Sequence, residues 1–136
     1  MNGADDDALV AAALAVREHA WAPYSRFAVG AAVVAESGRV YVGCNVENAS
    51  YPLCVCAERT AIGTAVAAGE RRIVKVVVVT DTDPPASPCG ACRQVIWEFG
   101  PDAQIVVAST NGSRHVTHIR ALLPEGFDGA ALRGAP

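Results

Sequence analysis

Ile73-Val74-Lys75-Val76-Val77-Val78-Val79-Thr80 is a run of eight residues, seven of them β-branched. Bulky branched side chains at every position, rather than at every second one, describe a strand covered on both faces at the centre of a sheet. Lys75 is the exception. Downstream, Asp81 to Pro88 is a proline-rich loop. Cys89 to Phe99 has helical composition and is stopped by Gly100-Pro101. Gln104 to Ser109 reads as another strand, Asn111-Gly112 as a turn, Ser113 to His118 as a weaker edge strand, and Ile119 to Leu123 as a short helix before Pro124.

Upstream, Cys56 to Ala68 is a helix with Gly69 in the place of a C-terminal cap. Gly63 interrupts it at a cost of ~1 kcal/mol relative to Ala, which suggests a site of close packing. Asn45 to Val55 is a loop. Phe27 to Ala35, Glu36-Ser37-Gly38 and Arg39 to Gly43 form a β-hairpin. Asp5, Asp6 and Asp7 precede Leu9, Ala13, Val16 and Ala20, a helix with negative charge at its N-terminal end, closed by Ala22-Pro23-Tyr24-Ser25. Two strand–helix–strand units thus share strand 73–80, with connections long enough for parallel crossovers. The expected fold is a three-layer α/β/α sandwich with a mixed five-stranded sheet. No repeat or linker divides the chain, so residues 1–136 are read as one domain, with 1–4 and 129–136 expected to be flexible.

In this topology both central helices start at the carboxyl edge of the sheet, where open α/β sheets bind ligands. That edge gathers Cys56-Ala57-Glu58 and Pro88-Cys89-Gly90-Ala91-Cys92, although Cys56 and Cys89 are 33 positions apart. Cys89 and Cys92, three apart on a first helical turn, point the same way. Helix N-termini favour thiolates over thiols. Cys56, Cys89 and Cys92 therefore read as ligands of one Zn²⁺ that keeps an open fourth position, the mark of a catalytic site. Glu58 supplies a proton carrier. Three thiolates leave the site with net negative charge, and Arg59 on the same turn is placed to offset it by donating to sulfur. A three-ligand zinc, a Glu that is not a ligand and a downstream Pro-Cys-x-x-Cys is the design of the zinc nucleobase deaminases.

Composition narrows the substrate. The 136 residues are 51% hydrophobic, enough for a real core, and carry a net charge of −3. Basic residues are scattered, with no stripe of the kind a polynucleotide needs, so a small substrate is expected and a nucleic-acid polymer is not. The acidic start and the short aliphatic runs show no export signal and no membrane span, so a cytosolic location is expected. There its five cysteines are ligands or core residues rather than disulfides.

From about Ala22 to Phe127 the chain resembles the small homotetrameric cytidine deaminases. The matching stretches are Pro23-Tyr24-Ser25-Arg26-Phe27-Ala28-Val29-Gly30-Ala31-Ala32, Gly43-Cys44-Asn45-Val46-Glu47-Asn48-Ala49-Ser50-Tyr51, Cys56-Ala57-Glu58-Arg59-Thr60-Ala61, Pro88-Cys89-Gly90-Ala91-Cys92-Arg93-Gln94 and Leu122-Leu123-Pro124. The zinc pattern is shared by many deaminases; Asn45-x-Glu47-Asn48 points to a nucleoside. The resemblance implies hydrolytic deamination of cytidine and 2′-deoxycytidine in pyrimidine salvage. Phe27 would stack on the pyrimidine, Asn45 and Glu47 would hold the ribose hydroxyls, and the Ala57 backbone would contact the base. It also implies a homotetramer whose pockets are completed by Ala49 and Tyr51 of one neighbour and Phe127 of another. Pro124-Glu125-Gly126-Phe127 follows the family's terminal motif only loosely.

Other readings stand beside this one. Cys54 as a fourth ligand would close the site and make it structural. Glu58 could be an ordinary first-turn acid, and Phe27, Asn45 and Glu47 core or loop residues. A deaminase of a cytosine-containing antibiotic nucleoside, a polynucleotide deaminase and a non-catalytic zinc-stabilised binding module are the alternatives in function. Cys44 reads as a small buried hydrophobe. Trp21 and Trp97 are expected in the core or at an interface, and His19, His115 and His118 outside the site. Arg93 could cap or pair locally; Gln94 has no evident role.

Overall fold

The computed structural model describes residues 5–132. Five strands form one sheet: β1 (Gly30–Ala35), β2 (Val40–Cys44), β3 (Ile73–Thr80), β4 (Gln104–Ser109) and β5 (Arg114–His118), in the order β2-β1-β3-β4-β5. β1 is antiparallel to β2 and β3, β3 is parallel to β4, and β5 is antiparallel to β4. β2, β3 and β4 therefore run the same way. The helices are α1 (Asp6–Arg17), α2 (Ala57–Ala67), α3 (Gly90–Phe99) and α4 (Ile119–Leu122).

Period-two alternation sorts the sheet's side chains into two cores. Ala31, Val33, Val76, Val78, Ile105 and Val107 pack with α2 and α3. Ala32, Val34, Val77, Val79, Val106 and Ala108 pack with Leu9 and Ala13 of α1. β3 is thus buried on both faces, and the three layers are α1, the sheet, and α2 with α3. Lys75 has its own explanation: its Nζ lies 2.6 Å from Asp6 Oδ1, and Arg114 of β5 lies 2.7 Å from Asp7. The acidic first turn of α1 complements the helix dipole and also docks onto two basic residues of the sheet.

Asp5 caps α1 by accepting from the Asp7 amide. Gly69, at φ +101°, ends α2 with amide bonds from Gly69 to Val66 and from Glu70 to Ala65. That paired pattern needs a left-handed residue, which glycine supplies without strain. Gly43 serves packing: a Cβ there would stand 2.4 Å from the Ala61 nitrogen, so β2 lies against the α2 backbone.

Some expectations are corrected and others hold. The first strand starts at Gly30, not Phe27, because Phe27 and Val29 are held by the Asn45 side chain instead of a neighbouring strand. α1 ends at Arg17, short of Ala20. Gly63 is exposed and a Cβ there would meet nothing, so it marks no close packing within the subunit. Cys44 is half-buried, since β2 is an edge strand. Trp97 is in the core, whereas Trp21 is 59% exposed. His19, His115 and His118 are exposed. Of the two segments expected to be flexible, Gly129–Ala131 forms a 3₁₀ turn, while 1–4 and 133–136 lie outside the described residues.

Candidate active site

β2 and β3 run in parallel, so α2 and α3 both begin at one edge of the sheet. Cys56 and Cys89 are the N-cap residues of these helices, one position before each helix rather than within it. Neither side chain caps its own helix, which leaves both sulfurs free to face each other. Cys92, one turn into α3, is fully buried. The three Sγ atoms lie within 4.8 Å of one another, with Cys56 and Cys89 3.8 Å apart. Tetrahedral zinc with ~2.3 Å bonds to sulfur requires S···S separations of ~3.8 Å, so the trio fits that ion.

The charge pattern fits it too. The Cys92 thiol, donating to Cys56, and then Arg59 and Cys89 bring the Cys56 thiol down to about 5 against the cost of burial. Cys92, giving its proton toward Cys56, is pushed up. The pattern favours negative charge on Cys56, and a dication is what would allow Cys92 to ionise beside it. Arg59 Nη2 lies 3.7 Å from Cys56 Sγ and 3.3 Å from the Cys54 carbonyl. Cys54 stands outside the trio: its sulfur accepts from the Asn48 amide at 3.3 Å. Among the described residues the cluster has three sulfurs, not four.

Glu58 follows the Cys56 cap by two positions and is only 4% exposed. Burial raises its carboxyl to about 7, with the Cys56 charge adding to the effect and Arg59 opposing it. A carboxyl raised toward neutrality suits a group that must both take and give a proton. Glu58, Cys56 and Cys89 open onto a cavity of about 310 Å³. Phe27, Asn45, Glu47 and Ala57 line the same cavity. The structure brings these sequence-predicted residues to one cavity, and Asn45 and Glu47 also hold the loop beside it. Asn45 Oδ1 accepts from the Val29 amide at 2.9 Å, and its Nδ2 donates to the Phe27 carbonyl at 2.7 Å. Glu47 accepts from the Tyr24 and Ser25 amides at 2.9 and 3.1 Å and from the Ser25 hydroxyl. The Ser25 hydroxyl holds the Glu47 carboxyl below its ordinary range.

Ala49, Tyr51 and Phe127 do not line this cavity. Tyr51 packs edge-on against Tyr24, and the Phe127 carbonyl accepts from Gln94 Nε2 at 2.8 Å. All three are exposed, Tyr51 by 68% and Phe127 by 58%. Sequence reasoning missed Ser25, Thr80 and Ser87, which line the cavity. It also missed what Arg93 does: Arg93 donates to the Pro88 carbonyl, the Ser87 hydroxyl and the Leu122 carbonyl, pinning the loop before Cys89 to the C-terminal segment. The signal available for Arg93 and Gln94 was their place directly after Cys92.

Residues 4–109 match the family model for the cytidine and deoxycytidylate deaminase zinc-binding region. A cytidine deaminase of Sporosarcina psychrophila is 46% identical over 124 residues, covering 90% of this chain and 91% of that protein. The chain belongs to the cytidine deaminase family. Its fold is that of the family's solved structures. The cytidine deaminase of Burkholderia pseudomallei superposes with a TM-score of 0.88 at 52% identity, covering 90% of this chain and 99% of the other. The Mycobacterium tuberculosis cytidine deaminase gives 0.78 at 36% identity, covering 90% and 97%. As a member of this family the chain is a zinc-dependent hydrolase, and its sulfur trio fits one ion per subunit.

Proposed function

We propose that this enzyme converts cytidine and 2′-deoxycytidine to uridine and 2′-deoxyuridine with release of ammonia, as a step of pyrimidine salvage in the cytosol. The observation that carries the reading is Glu58, buried beside the three sulfurs and opening onto a cavity large enough for a pyrimidine. Cys56, Cys89 and Cys92 hold the zinc in this proposal. Zinc, when bound, supplies a Lewis acid that eases deprotonation of water at the cavity floor. Glu58 takes that proton and delivers it to the ring nitrogen N3 while hydroxide adds to C4. Glu58 then takes the proton of the new C4 hydroxyl and passes it to the amine; the C4–N bond breaks, the C4 carbonyl forms, and ammonia leaves. Arg59, donating to Cys56, offsets the negative charge of the thiolates.

Phe27 stacks on the base, the Ala57 backbone contacts it, and Asn45 and Glu47 meet the sugar hydroxyls with the hydrogen-bonding capacity that the loop leaves them. The cavity-lining residues include no Lys, Arg or His, and Glu47 stays ionised, which favours a neutral nucleoside over a phosphorylated one. Neighbouring copies complete the pocket in a homotetramer, with Ala49 and Tyr51 from one and Phe127 from another. Among the described residues no helix is long and apolar enough to cross a membrane. The test is direct: purified zinc-loaded protein mixed with cytidine should give the ultraviolet change of conversion to uridine, and a silent assay would overturn the reading.

A further inference from the structure

The Phe27 amide donates to Ser25 Oγ at 3.0 Å, and the Ser25 hydroxyl donates in turn to Glu47 Oε2. Between them Arg26 adopts a left-handed conformation, φ 58°, which non-glycine residues rarely take and which turns the Phe27 amide back toward Ser25. Glu47 Oε1 takes the Tyr24 and Ser25 amides, so the carboxylate is gripped from three sides by one loop. On the opposite side Asn45 holds Phe27 and Val29. We propose that Ser25 is a positioning residue for nucleoside binding: its hydroxyl joins the Phe27 backbone to the Glu47 carboxylate, so that the base-stacking ring and the sugar-binding acid are set as one unit. This rests on the reading of Phe27 and Glu47 given above.

A hydroxyl is required because the link must accept from one side and donate to the other. Alanine at position 25 leaves the two amide bonds to Glu47 but cuts the relay. Ser25 is exposed and belongs to neither hydrophobic core, so its replacement leaves the packing of sheet and helices in place. The experiment is steady-state kinetics on cytidine with Ser25→Ala, Ser25→Thr, Glu47→Gln and the Ser25→Ala/Glu47→Gln pair. Losing a hydrogen bond to a charged group should raise KM about tenfold in Ser25→Ala. Its kcat should stay within about twofold, because the chemistry at Glu58 is untouched. Ser25→Thr, which keeps the hydroxyl, should hold KM near the wild-type value. In the Glu47→Gln background Ser25→Ala should add less than about twofold, since the two residues act through one contact. Wild-type KM in Ser25→Ala, a KM in Ser25→Thr as high as in Ser25→Ala, or full additivity in the pair would each overturn the proposal while leaving the deaminase reading intact. Absence of turnover in the wild-type protein would instead overturn that reading and this one with it.

Discussion

At the scale of single residues, the site separates three neighbouring cysteines into different jobs. Cys56 caps a helix and faces the trio, Cys44 ends an edge strand, and Cys54 bonds the Asn48 backbone. Zinc content measured after Cys54→Ser should therefore equal that of the wild type, whereas loss of the ion would restore Cys54 as a ligand and close the site. Glu47 makes a pH prediction. Because Ser25 holds its carboxyl below the ordinary carboxylate range, it stays charged through the mildly acid range, and the binding it supports is lost only at more acid pH. Uridine binding shows this best, because uridine does not itself titrate there, and the Glu58→Gln protein removes the other carboxyl of the cavity. Its affinity should hold from neutral pH into the mildly acid range and weaken only where an ordinary carboxylate would already be largely protonated. A decline that is already complete by pH 6 would mean that Glu47 is not the acid involved.

At the scale of elements, α2 carries Cys56 and Glu58 and is located by its contact with β2. Ala in place of Gly43 would push a methyl group into the Ala57 and Ala61 backbone. We expect Gly43→Ala to cost about 3 kcal/mol or more, since backbone atoms cannot step aside as side chains do. A thermal midpoint unchanged from the wild type would show that the two elements are not in contact. The same elements show what can be read without coordinates. β3 was legible because all but one of its positions are β-branched, and α2 and α3 because composition and the following glycines agree. Residues 27–29 were misread as strand because Asn45 and the side chains of Ser25 and Arg17, not a strand partner, satisfy their backbone. The partners of Arg93 and Gln94 in the C-terminal segment are backbone carbonyls 29 and 33 residues away, and a carbonyl leaves no mark in a sequence.

At the scale of the whole molecule, parallel β2 and β3 bring two helix starts to one edge, which makes a metal site from distant cysteines. That part was legible from the order of elements alone. The loop-holding role of Asn45 and Glu47 was not, because their partners are the amides and carbonyls of a loop with no periodic pattern. The exposed rings of Trp21, Tyr24, Tyr51 and Phe127 are more aromatic surface than a lone subunit usually leaves in water. Sedimentation should give a species of four times 14.1 kDa, and a monomer that is nonetheless fully active would refute the shared pocket. The most direct test of the account as a whole is cytidine turnover by zinc-loaded Glu58→Gln protein. With the ion retained but the proton carrier gone, the rate should fall by at least ~100-fold; a rate close to the wild type would contradict the assignment of Glu58 and the chemistry built on it.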